Sequence, residues 1–257
     1  MTQDAAKVLV GERAAAMVED GMRVGLGTGT TSVQFIKALG KRVQQGLKIR
    51  CVASSDSSTA LGRSLGMDVV TLEELPELDL YVDGADEVCM AASGGTQQGA
   101  RDCGGVQHSG NVQHGEIQLI KGGGAALLRE KIVASAAKQF VCVVDESKIV
   151  VQLGKFPLPV EIIKMARPLV EPKLAALGLN PVLRMKKDAS GAPTNEPLLT
   201  DEHNWLLDCH CGAIADPEKL AAEIRSIVGV VEHGLFLGMA QHVLLAGEHG
   251  VREINVA

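Results

Sequence analysis

Short apolar runs alternate with helical patterns along the first two-thirds of the chain. Runs of about four to eight mainly apolar residues predict buried strands, and an apolar residue at every third or fourth position predicts a helix. The predicted strands cover 22–27, 47–54, 67–72, 78–84, 117–124 and 140–147, and the predicted helices cover 1–21, 28–43, 57–66 and 125–139. Strands that alternate with helices pair in parallel, so the pattern predicts an α/β fold with a doubly wound sheet.

The pattern changes after about residue 156. The next elements are a strand at 159–165, a helix at 166–178, strands at 180–186 and 204–210, a helix at 216–229 and a strand at 230–236. Asp216 suits the N-cap of the last helix, and Pro217 suits its first position. The order β-α-β-β-α-β is typical of ferredoxin-like α+β modules. We therefore predict one domain at 1–156 with the returning tail 234–257, and a smaller domain at 157–233.

The segment 89–116 fits neither pattern. It is rich in Gly, Gln and Ser and shows no periodicity. A structureless stretch of this length is unusual inside a compact domain, so it is either a disordered loop or a lid. Its low apolar content favours a flexible insertion. His108 and His114 lie within it, and a flexible loop makes them poor candidates for metal ligands or catalysts.

Composition and charge limit which residue types can form the core and which kinds of partner are expected. Apolar residues make up 46% of the 257 residues, but with one Trp, one Tyr and four Phe the core must be mainly aliphatic. Such a core suits strands that are buried on both faces. The net charge of −6 argues against nucleic acid or an anionic membrane as a partner. A phosphorylated small molecule stays open, because one phosphate needs only a local site.

The first helix and the cysteines indicate the compartment. The first helix carries charge throughout, unlike a secretory signal, and no apolar run approaches the roughly 20 residues of a transmembrane helix. Cys209 and Cys211 flank His210, which suggests a metal site. On a strand, however, the two sulfurs share one face while His210 points to the other. We therefore expect reduced core thiols at this pair and a cytoplasmic protein.

The stretch VGLGTGTTS at 24–32 is the first candidate for chemistry. A predicted strand runs into Gly25, Gly27 and Gly29, and a helix follows that opens with hydroxyl residues. Glycines let a ligand approach the backbone, and a helix N-terminus favours phosphate. The spacing differs from the dinucleotide motif G-x-G-x-x-G. Phosphate binding is favoured over a simple tight turn.

Three further strand ends carry polar groups. They are YVDGADEV at 81–88, LIKGGG at 119–124 and VVDESK at 143–148. Each of these stretches, taken alone, could be an ordinary turn sequence without a role in binding. In a doubly wound sheet, however, ligands bind at the carboxyl ends of the strands. The four strand ends together therefore predict a pocket for a polyol phosphate, whereas Glu130 considered alone is more often a solvated helix residue.

Six motifs in order make the sequence similar to ribose-5-phosphate isomerase of the A type. They are GLGTGTTS at 25–32, SSDSS at 54–58, YVDGADEV at 81–88, IKGGGAALLREKIV at 120–133, VVDESK at 143–148 and LGKFPLPVEI at 153–162. The resemblance covers nearly the whole chain outside 89–116, where this sequence is longer than the family pattern. It implies a Rossmann-like domain with a smaller α+β domain. It also implies interconversion of ribose 5-phosphate and ribulose 5-phosphate in the non-oxidative pentose phosphate pathway, no metal or organic cofactor, and a homodimer or dimer of dimers.

The resemblance implies a role for individual residues. Glu130 matches the catalytic base. The substrate-binding loops correspond to Thr28, Gly29, Thr30 and Thr31, to Asp83, Gly84, Ala85 and Asp86, and to Lys121, Gly122, Gly123 and Gly124. Lys148 matches a further substrate-binding lysine, and Lys7 is expected near the phosphate.

These residue types suit an isomerisation that moves a proton between C1 and C2 through an enediolate. A carboxylate can carry that proton, best when partial desolvation raises its pKa. Lys121 and loop N–H groups would stabilise the enediolate oxygens. Asp83 or Asp86 would assist ring opening, and the sequence does not decide between them. Glu87 has no assigned role, and the sequence shows no metal-ligand cluster for a hydride shift.

Two other functions fit less well. A sugar-phosphate sensor of a transcription regulator would need a DNA-binding helix-turn-helix, for which there is no room before the first strand. It would also not need both Glu130 and Lys121. A sugar-phosphate deaminase or acyl-transfer enzyme of related architecture would need a different catalytic signature, which the sequence does not contain.

Overall fold

The computed structural model describes residues 1–92 and 114–255. Its helices are α1 Gln3–Ala16, α2 Thr30–Gln44, α3 Asp56–Ser64, α4 Leu127–Ser135, α5 Arg167–Ala176 and α6 Pro217–Arg225. Its strands are β1 Arg23–Leu26, β2 Arg50–Ala53, β3 Asp68–Val69, β4 Leu80–Asp83, β5 Glu87–Ala92, β6 His114–Ile120, β7 Phe140–Asp145, β8 Leu158–Ile162, β9 Asn180–Leu183, β10 Met185–Lys187, β11 Pro193–Pro197, β12 Trp205–His210, β13 Val230–His233, β14 Leu235–Leu237, β15 His242–Gly247 and β16 Gly250–Asn255. Short 3-10 helices lie at Glu146–Lys148 and Lys164–Ala166.

Seven strands form a large sheet in the order β16-β15-β7-β4-β1-β2-β3. All neighbouring strands are parallel except β15 and β16, which are antiparallel. The end of the described chain, which forms β15 and β16, therefore returns to this sheet. The predicted α/β fold class, with a doubly wound and mainly parallel sheet, is confirmed.

The residues of β4 show how the sheet is buried on both faces. Val82 packs in an aliphatic cluster with side chains of α1 and α2, whereas Tyr81 packs with Phe140 in a second cluster. Both Val82 and Tyr81 are fully buried. Neighbouring residues of a strand point to opposite faces, so an uninterrupted apolar run needs cover on both sides. The helix α4 and strands β5, β6 and β14 provide the second cover.

The predicted strand at 117–124 does not join the parallel sheet, so that part of the prediction was wrong. β6 instead pairs antiparallel with β5 and β14 in a separate three-stranded sheet. Parallel pairing needs a long crossover between strands. β5 follows β4 after only three residues, 84–86, and leads the chain away from the large sheet. β5 begins with the charged residue Glu87, so the pattern of apolar residues did not predict it as a strand.

Both ends of the segment 89–116 belong to strands, contrary to the prediction of a wholly flexible insertion. Residues 89–92 complete β5, and residues 114–116 begin β6. The remaining residues 93–113, which include His108, lie outside the described residues. The choice between a disordered loop and a lid stays open for that part.

Four strands form an antiparallel sheet in the order β13-β8-β12-β9. Together with α5 and α6 they form the α+β arrangement predicted from the sequence. Asp216 is the N-cap of α6 and accepts a hydrogen bond from Lys219 N at 3.0 Å, and Pro217 is the first helical residue. The domain boundaries at 157 and 233 stay a prediction.

The predicted strand at 230–236 is divided at Gly234. β13 lies before this residue in the four-stranded sheet, and β14 lies after it in the three-stranded sheet. Gly234 N donates to Pro159 O at 2.8 Å, and Lys121 N donates to Gly234 O at 2.9 Å. A Cβ on Gly234 would lie 2.3 Å from Lys121 O, so this crossing requires glycine. The crossing brings Phe236 of β14 next to Lys121.

Among the described residues, the cysteine pair belongs to no group of side chains that could hold a metal ion. Cys209 and Cys211 are free thiols, and Cys209 is buried, as predicted. Within residues 1–92 and 114–255, no group of three or more His, Cys, Asp or Glu side chains is placed to hold a metal ion. No helix in the same ranges is long and apolar enough to cross a membrane.

Candidate active site

The candidate site lies at the carboxyl ends of β1 and β4. These strands are neighbours, but the chain continues from β1 toward β2 on one side and from β4 toward the opposite side, where β7 lies. In doubly wound sheets ligands bind where the strand order reverses in this way. Three segments meet there, at 27–32 after β1, at 83–87 after β4 and at 121–130 between β6 and α4.

The carboxylate of Asp83 connects all three segments, and it is fully buried. Its two oxygens accept hydrogen bonds from five donors, which are Thr28 N (2.9 Å), Ser32 Oγ (2.7 Å), Gly84 N (2.8 Å), the Tyr81 hydroxyl and Lys121 Nζ (2.8 Å). The first three donors bind Oδ1 and the last two bind Oδ2. A buried carboxylate is stable only with partners of this kind, so the charge at the end of β4 is compensated within the protein.

Lys121 is held in the interior by acceptors and an aromatic ring. Its side chain is 3% exposed, and besides Asp83 its Nζ donates to Gly84 O at 2.6 Å. Nζ also lies 5.4 Å from the ring centroid of Phe236. Burial by itself lowers the pKa of Lys121, but the charges of Asp83 and Glu130 outweigh burial and raise it. Lys121 is therefore a buried cation at neutral pH.

Glu130 is the second buried acid of the site. Its side chain is 4% exposed, and Oε2 lies 3.2 Å from Lys121 Nζ. This contact lacks hydrogen-bond geometry, so Oε2 has no hydrogen-bond partner within the described residues. Burial raises the pKa of Glu130 to about 8, against the opposing charge of Lys121 and with the added effect of Asp83. A carboxyl group with this pKa can take up and release a proton near neutral pH.

Glu130 lies in the first turn of α4. The predicted helix at 125–139 starts two residues earlier and would place Glu130 in its second or third turn. The helix begins late because Gly122 and Ala125 have φ angles of 105° and 64°, which interrupt a helix. A Cβ on Gly122 would also lie 2.9 Å from Leu127 Cδ2. The late start brings Glu130 to the amino end of α4, where the helix dipole partly supports its ionised form.

Asp86 differs from Asp83 because it is only partly buried. Its Oδ2 accepts a hydrogen bond from Gly123 N at 2.7 Å. A Cβ on Gly123 would lie 2.5 Å from Asp86 Oδ1, so this approach requires glycine. Asp86 thus joins the turn after β4 to the glycine loop. Ala85 and Asp86 are both half-buried, so Asp86 keeps part of its surface accessible.

The amino end of α2 is open. Its N-cap, Gly29, has a φ of 98° and offers no side chain to cap the helix. Thr30 is exposed and Thr31 is half-buried at the start of the helix. Thr28 Oγ1 forms a hydrogen bond with Ser54 Oγ at 2.8 Å. The first N–H groups of a helix lack intrahelical partners, so this end can bind an anion.

Gly124 and two lysines complete the predicted set. Gly124 is exposed opposite Thr28, since its Cβ would lie 3.7 Å from Thr28 Cγ2. Lys148 ends the 3-10 helix after β7 and is half-buried. Lys7 lies in α1, and its Nζ is 3.7 Å from Asp4 Oδ1. In the described chain neither ammonium group is hydrogen-bonded to the three segments, so both lie outside the bonded network.

Three further side chains shape the site and were missed from the sequence. Tyr81 and Ser32 donate to Asp83. Arg184 Nη1 donates to Gly122 O at 2.8 Å, and its guanidinium is paired with Asp208. Ser32 ends the TGTTS run and Tyr81 begins the YVDGADEV run, so both stood within recognised motifs. Arg184 gave no signal, because it is 62 positions away from Gly122.

Glu87 accepts hydrogen bonds from a loop that is distant in the sequence and not from its own turn. Its side chain is buried and accepts hydrogen bonds from Gly154 N at 2.7 Å and Phe156 N at 2.6 Å. Glu87 therefore fastens the segment before β8 to the start of β5. This explains the third carboxylate of YVDGADEV without a role in chemistry.

The sequence matches the family model of Ribose 5-phosphate isomerase A (phosphoriboisomerase A) over residues 50–98 and 109–250. Ribose-5-phosphate isomerase A of Methylorubrum extorquens is 45% identical, over 93% of this chain and 91% of the relative. Ribose-5-phosphate isomerase A 1 of Oceanobacillus iheyensis is 41% identical, over 97% of each chain.

Solved structures agree with the sequence relatives. Ribose 5 phosphate isomerase A from Neisseria gonorrhoeae has a TM-score of 0.82 at 39% identity, covering 100% of this chain and 98% of that one. A D-ribose-5-phosphate isomerase in complex with phospho-erythronic acid has a TM-score of 0.84 at 31% identity, covering 99% of this chain and 100% of that one. The chain therefore belongs to the ribose 5-phosphate isomerase A family and is an aldose–ketose isomerase.

Proposed function

We propose that the protein interconverts D-ribose 5-phosphate and D-ribulose 5-phosphate through an enediolate, with Glu130 as the proton acceptor and donor. The observation that carries this proposal is the buried pair of Glu130 and Lys121, 3.2 Å apart at the carboxyl end of the sheet. The solved relative bound to phospho-erythronic acid supports a phosphorylated sugar chain as the ligand.

Glu130 suits the transfer of a proton between C1 and C2. Its pKa of about 8 lies near the working pH, which favours both uptake and return of the proton. Oε2 has no hydrogen-bond partner among the described residues, so a lone pair of this oxygen is free for the proton. One carboxyl group can therefore serve both carbons in turn.

Lys121 is placed to stabilise negative charge on the enediolate oxygens. Two of its ammonium protons are directed to Asp83 and to Gly84 O, and the remaining side of the group faces Glu130. A fixed cation in a dry site stabilises developing charge more strongly than one in water. Asp83 acts in this scheme mainly by holding Lys121.

Ring opening falls to Asp86 rather than Asp83. The five donors to Asp83 occupy its oxygens and the side chain is fully buried, whereas Asp86 is accessible. Asp86 can therefore exchange a proton with the sugar, and Gly123 N fixes its carboxylate. We therefore favour Asp86 over Asp83, the two alternatives that the sequence left open.

The open amino end of α2 is proposed to bind the phosphate group. Thr30 and Thr31 provide N–H and hydroxyl donors there, with Thr28 and Gly29 preceding them. The glycine loop at 122–124 faces the sugar from the other side. Lys7 and Lys148 are proposed to add positive charge at the outer edge, since both lie beyond the bonded network.

The wider context follows the family. We infer action in the non-oxidative branch of the pentose phosphate pathway, in the cytoplasm, as a homodimer or a dimer of dimers. The chain is proposed to use no metal and no organic cofactor. We also propose that it divides into two domains, one formed by residues 1–156 with 234–257 and the other by residues 157–233.

The test is a coupled assay of ribose 5-phosphate conversion with and without EDTA. We expect equal turnover in both, and Glu130→Gln should lower kcat by at least about 100-fold, the low end for general base catalysis. Glu12→Gln, at an exposed position of α1, is the matched control and should behave as wild type. Near-normal kcat in Glu130→Gln would refute the role of Glu130, and loss of activity with EDTA would refute the metal-free mechanism.

A further inference from the structure

Tyr81 stands directly behind the charged groups of the site. Its side chain is fully buried, and its hydroxyl donates to Asp83 Oδ2, the same oxygen that accepts from Lys121. Its ring packs against Phe140, with centroids 4.9 Å apart. Because it is fully buried, Tyr81 does not reach the crevice and has no direct contact with a substrate.

The hydroxyl of Tyr81 and the ammonium group of Lys121 share one oxygen of Asp83. Three donors hold Asp83 Oδ1, and Tyr81 and Lys121 are the two described donors to Oδ2. With both donors present, the charge of Oδ2 is shared between a neutral hydroxyl and the ammonium group. Without the hydroxyl, Lys121 would be the only donor to Oδ2.

We propose that Tyr81 is a positioning residue whose hydroxyl fixes the carboxylate of Asp83, and through it sets how Lys121 is shared between Asp83 and the base Glu130. Lys121 lies 2.8 Å from Asp83 Oδ2 and 3.2 Å from Glu130 Oε2, so it stands between two buried acids. A stronger hold by Asp83 withdraws the ammonium group from Glu130. This inference rests on the proton-carrying role proposed for Glu130.

The effect appears in the pH dependence of the reaction. Among the described residues, the ionisable groups around Lys121 are Asp83, Glu130 and Cys142, and those around Glu130 are Lys121, Asp83 and Asp86. Loss of the Tyr81 hydroxyl leaves the charge of Asp83 less screened and Lys121 more firmly engaged. Both changes disfavour ionised Glu130, so its pKa rises further.

Tyr81→Phe tests the proposal, because it removes one oxygen and leaves the ring in place. The acidic limb of the kcat profile should move to higher pH by roughly half a unit to one unit, and kcat at pH 7 should fall about threefold to tenfold. KM should stay within about twofold, since Tyr81 does not touch the substrate. Phe140→Leu is the control, because it loosens the packing of the same ring and keeps the hydroxyl. It should lower Tm and leave the pH profile in place.

The outcomes separate this inference from the proposed function. An unmoved acidic limb in Tyr81→Phe, with Glu130→Gln inactive, would overturn the positioning role alone. Equal shifts in Tyr81→Phe and Phe140→Leu would also overturn it, since general loosening would then be the cause. High activity in Glu130→Gln would instead overturn the function on which the inference rests.

Discussion

Raising the pH from 5 to 9 should destabilise the wild-type protein relative to Glu130→Gln. The carboxyl group of Glu130 has a pKa of 4.5 in its ordinary state and about 8 in the folded protein. Because the folded-state pKa is raised, the folded protein binds more protons than the unfolded chain between these two values. Its free energy of unfolding therefore falls as the pH rises through this window. Glutamine does not titrate and escapes this loss.

The magnitude follows from the two pKa values. Each pH unit within the window is worth about 1.4 kcal/mol, and integration between pH 5 and pH 9 amounts to about 4 kcal/mol. A typical domain has only about 5–15 kcal/mol of stability, so the effect is large. The cause is desolvation: the ionised Glu130 is buried beside Lys121, and Asp83 already neutralises part of that cation.

The assay is urea denaturation of both proteins at pH 5 and pH 9, followed by circular dichroism and by the fluorescence of Trp205, the only tryptophan. Other titrating groups are shared by the two proteins, so the difference between the variants isolates Glu130. Glu12→Gln should follow the wild type at both pH values. A difference between wild type and Glu130→Gln that does not change with pH would refute the reasoning, because it would mean that Glu130 ionises normally in the folded protein.

Two substitutions test the frame around the site. Gly27→Ala would place a methyl group 2.2 Å from Asp83 Oδ1. The free energy of unfolding should therefore fall by about 1–3 kcal/mol, and activity should be lost. A Tm and kcat equal to those of the wild type would contradict this expectation. Arg184→Met removes the donor to Gly122 O and should lower kcat/KM by at least about tenfold through a displaced glycine loop. Arg167→Met, which breaks an ion pair within α5, should leave steady-state kinetics unchanged, and equal kinetics in both variants would exclude the role of Arg184.

Much of the fold around the candidate site was predictable from the sequence because it depends on local patterns of residues. The alternation of apolar runs and helices indicated the parallel sheet, and the polar groups at strand ends indicated its carboxyl edge. Gly27 and Gly123 lie where a Cβ would meet the side chains of Asp83 and Asp86, so the glycines of these motifs mark close approaches within the site. Asp216 and Pro217 start α6 because capping involves only neighbouring residues.

The errors arose where distant segments decide the outcome. The antiparallel pairing of β6 depends on β14, more than a hundred positions away, and periodicity does not reveal strand partners. The late start of α4 depends on positive φ at Ala125, which residue type does not announce. Arg184 reaches the glycine loop only in the folded chain, where the four-stranded and three-stranded sheets adjoin at Gly234.

The sequence by itself determined which groups are present at the strand ends and, through its motifs, the family. Only the tertiary structure decided what each acid does. Asp83 and Asp86 stand three positions apart in one short motif, yet one is buried among five donors and the other remains accessible. The pKa of Glu130 rises to about 8 because the folded chain buries its carboxyl group beside Asp83, and this effect outweighs the opposing charge of Lys121. The pKa depends on that local environment, which distant segments create only when the chain folds.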